Sequence, residues 1–459
     1  METLGIIAAF TFIGFVAWGL KRGQHPQLIL LAAGCAMFIL GWAFGHVPEP
    51  KNPTGWPGFD VFQILSESIK SKLAGIGAMI MTIAGFVAYM DHMGATESLV
   101  QLATRPIQWL RKFPLVAATF VLPLGQVLSL CVPSAAGLGL LMVASVHPLL
   151  LRLGIRPLAS ISIITLCTCF DMGPASANTA RASELLAMDN VTYFLGHQLP
   201  WAAGLNVIIM AVVYLQLRRD GQAPPSETTA ESVHAQAQLN SQANPPRLFA
   251  FFPVLPLVLL MVFSAFFQDV ESGIVLNTTT AMWIALAIAM LAHGAHQRAW
   301  PPLEEGLKSC WQGMGNSFRS VVSLIIAADL FAKGLIQLGL IDALIEGAQW
   351  MGAGGWLMLV LFSALILLAS VLMGSGNATF FAFGPLVPEL AARFGWSGVR
   401  FLLPMQLASS MGRAASPIAG VVIATAGIAG VSAIDVAKRN AIPMGITWAA
   451  MALGSGIWA

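Results

Sequence analysis

One arginine stands among helix-breaking and hydroxyl residues inside an apolar region. The segment is SSMGRAASP, residues 409–417, and the arginine is Arg413. A guanidinium group presents a planar fork of N–H donors that matches the two oxygens of a carboxylate. A buried charge of this kind is costly unless it has a partner. The segment therefore predicts either a ligand for a carboxylate or a structural arginine that binds backbone carbonyl groups.

A second arginine follows a comparable segment earlier in the chain. Arg181 comes directly after DMGPASANTA, residues 171–180. We expect it either beside the same ligand or at the outer mouth of the site. Asp171 is the only acidic residue of these two segments, and four roles are open to it. It pairs with an arginine, takes up a proton, binds a coupling cation, or caps the helix that follows.

Two further segments have the same composition of small and hydroxyl residues. They are VPSAAG, residues 132–137, and MGSGNA, residues 373–378. In all four segments, hydroxyl and amide side chains either cap an interrupted helix or bind a ligand. Helix N-termini favour anions, and freed carbonyl groups favour cations. Besides the two arginines, the candidate ligands are Ser134, Ser176, Asn178, Thr179, Ser375, Asn377, Thr379, Ser409, Ser410 and Ser416.

The sequence around these segments is that of a membrane protein. Hydrophobic residues make up 57% of the 459 residues and charged residues only 10%, whereas soluble domains carry about 25% charged residues. The apolar residues form blocks of about 17–22, the length that a helix needs to cross the hydrocarbon layer. They lack the alternation of a membrane β-barrel. We predict an all-α polytopic membrane protein whose partner is the lipid bilayer, and the net charge of +2 gives no reason to expect nucleic acid.

The positions of basic residues predict how the helices cross the membrane. The first apolar run, 4–20, has neither a basic start nor a cleavage site, and it ends at Lys21 and Arg22. Placing this pair in the cytoplasm puts most basic residues there, as the positive-inside rule expects. Six basic residues fall on the other side, and of these Lys70, Lys72, Arg393 and Arg400 count against the assignment. The predicted helices are 4–20, 28–45, 74–91, 199–217, 249–267, 277–292, 318–333 and 441–458, with interrupted helices at 157–190 and 400–431.

Two apolar stretches do not cross the membrane under this topology. Residues 113–151 have basic residues at both ends, so both ends belong on one side, and PSAAG turns the chain midway. This predicts a re-entrant hairpin. Its counterpart, 355–392, turns at GSGNAT and enters from the opposite side. The two halves are therefore predicted to be inverted repeats, the architecture of secondary transporters.

The domain boundaries follow from this repeat and from one polar stretch. Residues 218–247 are rich in Pro, Ser, Ala and Gln, which is typical of a flexible connector. Irregular backbone survives in the membrane only inside protein or beside a cavity, so we expect the four interruptions to converge on one anion site. The predicted domains are N-terminal helices 1–60, a first repeat 61–217, a cytoplasmic linker 218–248, a helix pair 249–298 and a second repeat 299–459.

Enzymatic and metal-dependent functions find little support in the sequence. Cys167 and Cys169 are the only closely spaced cysteines, and they have no neighbouring His or Cys cluster, so we expect neither metal nor cofactor. An intramembrane enzyme would need a nucleophile–base pair or a metal motif such as HExxH, and neither is present. A Walker-type loop for ATP is also absent.

Three stretches resemble a known family. GSGNATFFAFGPLVPELAARFG (374–395), SMGRAASPIAGVVIA (410–424) and VPSAAGLGLLMVASVHPLL (132–150) are similar to the DcuC-type anaerobic C4-dicarboxylate carriers. These carriers belong to the ion-transporter superfamily, together with the divalent anion:sodium symporters. The resemblance implies a bacterial inner-membrane transporter of succinate, fumarate, malate or aspartate. It also implies a homodimer with an elevator-type motion.

The resemblance leaves the coupling ion open. The symporter relatives carry paired Ser-Asn-Thr motifs, of which Ser176, Asn178 and Thr179 form one interrupted version and Ser375, Asn377 and Thr379 another. The segments at Ser134 and Ser416 lack the asparagine. Coupling to Na⁺, coupling to a proton through Asp171 and plain exchange all remain open. The alternatives for function are a carrier of the same fold for another solute, such as a gluconate-like or aminobenzoyl-glutamate-like anion or a cation, and, remotely, an intramembrane enzyme.

Overall fold

Every regular element in the described part of the chain is a helix. The computed structural model describes residues 2–45, 50–110, 112–221, 246–263, 274–297, 301–350 and 354–457. Within these ranges, seven helical spans are long and apolar enough to cross a membrane. They are Pro26–Ala43, Pro57–His92, Pro114–Cys131, Asn190–Asp220, Thr278–Gln297, Pro301–Gln337 and Gly355–Met373. The prediction of a polytopic α-helical protein is confirmed.

The described part of the chain contains more α-helices than the seven spans, and many of these helices are shorter than a membrane span. Before the predicted linker, the α-helices are Glu2–Lys21, Pro26–Ala43, Pro57–Lys72, Ala78–His92, Ala95–Thr104, Pro114–Cys131, Ala135–Ser145, His147–Arg152, Pro157–Leu166, Ala177–Leu185, Asn190–Tyr193 and Leu199–Asp220. After it, they are Leu255–Val262, Thr278–Gln297, Pro301–Ser317, Ser323–Gln337, Leu340–Trp350, Gly355–Met373, Gly376–Phe383, Val387–Arg393, Gly398–Ala414, Gly420–Ile428 and Ala433–Ile457.

Three long helical spans contain a π-helical turn that hydropathy did not predict, at Leu73–Gly77, Phe194–Gln198 and Phe318–Val322. Pro57–Lys72 continues through the π turn Leu73–Gly77 into Ala78–His92, and Gly75 has the non-helical angles φ −91° and ψ −109°. At 1.5 Å per residue, a 36-residue helix is longer than a hydrocarbon layer of about 30 Å is thick. The segment Pro57–Lys72 carries polar residues throughout and was missed because it lacks a continuous apolar run. Pro301–Ser317 is the corresponding polar segment before the π turn Phe318–Val322.

The predicted linker falls largely outside the described residues. Helix Leu199–Asp220 continues into the predicted start of the linker at 218, and residues 222–245 lie outside the described ranges. Beyond them, the 3-10 turn Arg247–Val254 leads into Leu255–Val262, so the predicted helix 249–267 begins irregularly. Its predicted last residues also lie outside the described part of the chain.

The second hairpin packs closely against the helix that carries Arg413. Helix Gly355–Met373 lies along Gly398–Ala414. A Cβ atom added to Gly412 would lie only 2.3 Å from the carbonyl oxygen of Leu367. Only glycine allows the two backbones to approach this closely. This contact fixes the depth and rotation of the helix end at which Arg413 lies.

Candidate functional site

Both hairpins turn at a serine that caps the second arm. In the first, Ser134 follows Pro114–Cys131, and its Oγ accepts a hydrogen bond from the Gly137 backbone N–H at 3.2 Å. In the second, the Ser375 Oγ accepts from the Ala378 N–H at 3.3 Å. Each serine thus satisfies one of the free N–H groups at a helix start.

The first interrupted helix breaks between Leu166 and Ala177. Its second arm, Ala177–Leu185, is capped by Ser176, whose Oγ accepts from the N–H groups of Asn178 and Thr179 at 3.2 and 3.4 Å. Ser176 is therefore the cap, and the expectation that Asp171 might fill this role is wrong. Asp171 instead lies in the break with a left-handed backbone, φ +42°.

The second interrupted helix breaks later than the sequence predicts. Its first arm runs to Ala414 and its second arm begins at Gly420. Arg413 is therefore in the last helical turn and not in the break, which corrects the predicted position. A cation in the last turn is favoured by the helix dipole. The freed carbonyl of Ala414 accepts from the Asn440 Nδ2 at 2.8 Å, so the longer arm has a partner for its end.

Arg413 and Asp171 pair across the two halves of the chain. The Arg413 Nη1 lies 3.4 Å from the Asp171 Oδ2, and its Nη2 donates to the Thr168 carbonyl oxygen at 2.6 Å. The two side chains are 13% and 14% exposed, so both are accessible to a small solute. The Arg413 Nε–H is buried and has no partner. The guanidinium therefore binds the carboxylate of Asp171 and a backbone carbonyl group, and the second contact is the one that the structural alternative predicted.

Asn178 connects this ion pair to the second interrupted helix. Its Nδ2 donates to the Asp171 Oδ2 at 3.2 Å and to the Ser410 Oγ at 3.3 Å. Asp171 also accepts from the Ser176 Oγ at 2.9 Å. We call this group, consisting of Asp171, Ser176, Asn178, Ser410 and Arg413, the central cluster. Five of the predicted site residues meet in it.

The tip of the second hairpin lies directly on the second interrupted helix. Gly374 ends the first arm with φ +68°, and a Cβ atom there would lie 2.8 Å from the Ile418 carbonyl oxygen. Asn377, in the first turn of the second arm, is half-buried, and its Oδ1 has no partner. Ser409 is buried, and its Oγ donates to the Gln406 carbonyl oxygen.

The side chains of three other predicted ligand residues form hydrogen bonds to protein groups outside the central cluster. Thr379 is fully buried, and its Oγ1 lies 2.6 Å from the Ser370 Oγ. Thr179 is also buried, and its Oγ1 donates to the Gln198 Oε1 at 3.0 Å. Ser416 is buried in the second break, where its Oγ accepts from the Ile418 N–H.

A buried glutamine network supports the first break, and the sequence analysis missed it. The Gln198 Oε1 accepts from the Gly173 N–H at 3.1 Å as well as from Thr179. The Gln406 Oε1 accepts from the Tyr193 hydroxyl at 2.6 Å. Each is a fully buried amide on a mainly apolar helix, and that contrast is the signal by which it could have been found.

Arg181 belongs to a different group of charges. It is fully buried, its Nη1 pairs with the carboxylate of Glu184, and its Nη2 lies 3.6 Å from the Asp329 Oδ1. Lys72 lies 2.7 Å from Glu184 and 3.3 Å from Asp329, and Lys333 lies 3.0 Å from Asp329. We call these five residues the lateral ion cluster. It contains three cations and two carboxylates.

The lateral ion cluster joins separate parts of the chain. Arg181 and Glu184 lie on the second arm of the first interrupted helix, Lys72 lies at the end of Pro57–Lys72, and Asp329 and Lys333 lie on Ser323–Gln337. Asp329 and Lys333 stand four residues apart in an otherwise apolar helix, a spacing that would have indicated an ion pair. Their partners in the first half could not be predicted from it.

Comparison with known proteins identifies the family. The sequence matches the DcuC family, described as C4-dicarboxylate anaerobic carrier, over residues 2–453. The chain belongs to this family. DcuC proteins are transporters, so the chain is a transporter and not an enzyme, as predicted. For residues 2–45, 50–110, 112–221, 246–263, 274–297, 301–350 and 354–457, no group of three or more His, Cys, Asp or Glu side chains forms a metal site.

Relatives of this DcuC protein match it nearly end to end. The anaerobic C4-dicarboxylate transporter DcuC of Escherichia coli (strain K12) is 30% identical over 443 residues, covering 96% of this chain and 93% of the relative. The probable anaerobic C4-dicarboxylate transporter DcuC of Vibrio cholerae is 29% identical over 447 residues, covering 96% and 94%.

Two solved structures have the same fold as this DcuC protein. The structure of MtrF from Neisseria gonorrhoeae, described with a class of antimetabolite efflux pumps, aligns with a TM-score of 0.65 at 14% identity and covers 94% of each chain. The YdaH transporter of Alcanivorax borkumensis aligns with a TM-score of 0.60 at 15% identity, covering 95% of this chain and 98% of that one. At these identities the likeness establishes the fold alone.

Proposed function

We propose that this DcuC protein is a secondary transporter that carries C4-dicarboxylates such as succinate, fumarate, malate and aspartate across the bacterial inner membrane. Arg413 is the primary ligand of a substrate carboxylate. The observation that carries this proposal is the pairing of a partly exposed Arg413 with the carboxylate of Asp171, 3.4 Å away, where the two interrupted helices meet. A group that already binds one carboxylate is suited to bind another.

The substrate carboxylate takes the place of Asp171 at the Arg413 fork. The contact is made by the Nη1 group that contacts Asp171, because the Nη2 group is held by the Thr168 carbonyl oxygen and the unpartnered Nε–H is buried. Ser410, held near by Asn178, is a hydroxyl donor for the same end of the substrate. Asn377 and Ser375 at the hairpin tip are candidates for the other carboxylate, because they are half-buried beside the second interrupted helix.

Asp171 is the residue through which transport is coupled to an ion. When the substrate displaces it from Arg413, the Asp171 carboxylate loses its cation partner and gains a proton or Na⁺ in exchange. The unpartnered Oδ1 of Asn178 is an oxygen ligand beside it. Proton coupling and Na⁺ coupling differ in their response to an imposed gradient, and plain exchange responds to neither.

Arg181 and the two buried threonines act in support of the site and do not contact the substrate. Arg181 is fully buried and paired with two carboxylates, in contrast to the 13% exposure of Arg413. Thr179 and Thr379 are also fully buried and hydrogen-bonded. Ser134, Ser176 and Ser416 hold backbone N–H groups at the breaks. Their role is to keep the interrupted helices in place.

Two inverted repeats and an elevator-type motion account for alternating access in this proposal. The same order of elements in both halves supports the repeat. Pro57–Lys72, Leu73–Gly77, Ala78–His92, Ala95–Thr104, Pro114–Cys131, Ala135–Ser145, Pro157–Leu166 and Ala177–Leu185 are matched in order by Pro301–Ser317, Phe318–Val322, Ser323–Gln337, Leu340–Trp350, Gly355–Met373, Gly376–Phe383, Gly398–Ala414 and Gly420–Ile428. The re-entrant hairpins and interrupted helices form the moving unit, and the remaining helices form a scaffold that joins two copies as a homodimer.

Counterflow in proteoliposomes tests the proposal. Vesicles that contain the purified protein and unlabelled fumarate are expected to take up labelled succinate, and Arg413→Ala is expected to reduce the initial rate at least 100-fold. Arg393→Ala is the matched control, because Arg393 is an exposed arginine paired only with the exposed Asp342. Gluconate and aminobenzoyl-glutamate serve as competing solutes. Wild-type flux in the Arg413→Ala protein would remove Arg413 from the site, and faster counterflow with either competitor would replace C4-dicarboxylates as the substrate class.

A further inference from the structure

Two neighbouring cavities lie beside helix Leu199–Asp220, and the first of them also contacts the start of the helix that carries Arg413. The first has a volume of about 330 Å³ and is lined by His197, Trp201, Ser397, Val399, Arg400, Leu403, Pro404 and Ser455. The second also has a volume of about 330 Å³ and is lined by Pro200, Trp201, Gly204, Leu205, Ile208 and Ala450. Because Trp201 lines both, we treat them as two compartments of one site. The central cluster contributes no residue to either.

The first compartment contains an arginine without a carboxylate partner. The Arg400 Nη2 donates to the Ser455 carbonyl oxygen at 3.1 Å, and its guanidinium carbon lies 3.7 Å from the centre of the Trp396 ring. Its Nε–H is buried and has no partner. In the part of the chain that the structure describes, no carboxylate lies within ion-pair distance of Arg400. A charge held in this way attracts an anion.

The second compartment is apolar and lies deeper along the same helices. Helix Leu199–Asp220 packs against Ala433–Ile457, and Gly454 lies beside Trp201. Residues of the second compartment stand about one turn further from these helix ends, at Leu205 and Ile208 on one helix and Ala450 on the other. No atom lies within 4 Å of the Cβ position of Gly204, so the glycine leaves a groove.

We propose that this site binds one anionic phospholipid, with its phosphate at Arg400 and an acyl chain in the groove beside Gly204. An occupant that fills both compartments must be charged at one end and apolar at the other. Arg400 is close to the start of Gly398–Ala414, where a helix that enters the membrane meets the headgroup layer, and Trp201 lines the same compartment as Arg400. Tryptophan is enriched at that depth. A free dicarboxylate would satisfy Arg400 but leave the apolar compartment empty.

A phospholipid bound at Arg400 would explain why this residue departs from the positive-inside rule. Arg400 is one of six basic residues that the predicted topology places on the side opposite to most of the others. A basic residue on that side is explained if it binds an anion. Since Arg400 and Arg413 lie on the same helix, the lipid would also bind to the helix that carries the substrate ligand.

Lipid retention measured by native mass spectrometry tests this inference without relying on transport. Protein in neutral detergent is mixed with dioleoylphosphatidylglycerol or, separately, dioleoylphosphatidylcholine. The wild-type protein is expected to retain one phosphatidylglycerol at least fivefold better than phosphatidylcholine. Arg400→Gln is expected to abolish this preference, and Gly204→Leu is expected to weaken retention of both lipids at least fivefold. Arg393→Gln is the control and is expected to behave as wild type.

Three outcomes would overturn the inference. The first is equal retention of the two lipids by the wild-type protein. This measurement needs no variant, so it tests the proposal even if Arg400→Gln does not fold. Undiminished phosphatidylglycerol retention in folded Arg400→Gln, judged by an unchanged elution profile, would remove Arg400 from the site. Displacement of the lipid by millimolar succinate, with no effect of Gly204→Leu, would assign the first compartment to a small anion.

Discussion

The Arg413 guanidinium and the Asp171 carboxylate meet with the Nη1 atom 3.4 Å from the Oδ2 atom, although the two residues are 242 positions apart in the chain. Arg413 lies at the end of the first arm of one interrupted helix and Asp171 in the break of the other, and each carries a charge that is costly to bury alone. The pair therefore joins the two halves of the transporter at the point where a substrate carboxylate would bind. The first prediction compares two states of the protein. In one, the ion pair is formed; in the other, a substrate carboxylate has replaced Asp171 at Arg413.

The Asp171→Asn variant tests substrate binding separately from the coupling of transport to an ion. The amide still accepts a hydrogen bond from Ser176, but it neither competes for Arg413 with a full charge nor takes up a proton. We expect Asp171→Asn to retain succinate–fumarate counterflow within about threefold of wild type, whereas accumulation driven by a proton or Na⁺ gradient falls to the level of exchange. Labelled succinate uptake with each gradient imposed in turn measures both quantities.

The outcome of this experiment bears on Asp171 alone. If Asp171→Asn accumulates succinate as the wild-type protein does, another group carries the coupling ion. If it loses counterflow as well, Asp171 is needed for the architecture of the break, where its backbone has φ +42°. Asparagine tolerates that conformation as well as aspartate does, so loss of folding is not expected.

The charge count of the lateral ion cluster predicts a large loss of stability on removing a carboxylate and almost no change on removing the exposed cation. Asp329→Asn leaves Lys72, Arg181 and Lys333 with Glu184 as the only carboxylate of the cluster, and stability is expected to fall by about 3–5 kcal/mol, the cost of leaving buried charge unpaired. Lys333→Met leaves two cations and two carboxylates, and since this lysine is 49% exposed, we expect a change within about 0.5 kcal/mol. Thermal unfolding in detergent, followed by tryptophan fluorescence, compares the two variants. Equal melting temperatures would show that the cluster is solvated in solution.

Arg181 distinguishes a supporting residue from a substrate ligand. Its complete burial and its two carboxylate partners lead us to expect that Arg181→Met lowers the melting temperature and the maximal rate, while KM for succinate stays within about twofold. Arg413→Lys is the comparison, because a lysine keeps the charge but loses the fork, and there we expect KM to rise at least tenfold. Initial rates over a range of succinate concentrations give both constants. A selective rise of KM in Arg181→Met would restore Arg181 as a ligand.

The interruptions were visible in the sequence because their residues act locally. Glycine, proline and serine cluster at 132–137 and glycine and serine at 373–378, and in both places a serine caps the next arm at the hairpin turn. The end of the second interrupted helix was not predictable in this way. Arg413 stays helical because Gly412 packs on Leu367 and because the Ala414 carbonyl has a partner in Asn440.

The sequence also did not predict ion pairs between distant residues or helices that carry many polar residues. Lys72 meets Asp329 and Glu184 only after three helices have packed, so no spacing in the sequence indicates the lateral ion cluster. Pro57–Lys72 and Pro301–Ser317 were missed because a search for apolar runs excludes helices with polar residues throughout. Three of the four breaks were thus predictable in position, whereas the exact end of the second interrupted helix and the partners of the side chains at the breaks were not.

The close contact at Gly412 gives a prediction with a matched control on the other arm of the same interrupted helix. Gly412→Ala would place a Cβ atom 2.3 Å from the Leu367 carbonyl oxygen, and because both sides are backbone, the two helices must separate. We expect a loss of about 1–3 kcal/mol, typical of overpacking, and a fall in counterflow because Arg413 moves with the helix end. Gly427→Ala, in helix Gly420–Ile428, meets no atom within 4 Å and should gain about 0.5–1 kcal/mol from the higher helix propensity of alanine. Melting temperatures and counterflow rates of both variants measure the difference. If Gly412→Ala is as stable and as active as Gly427→Ala, the hairpin and the interrupted helix do not pack at this distance in the membrane, and the orientation of Arg413 must be set by its contacts with Asp171 and Thr168 alone.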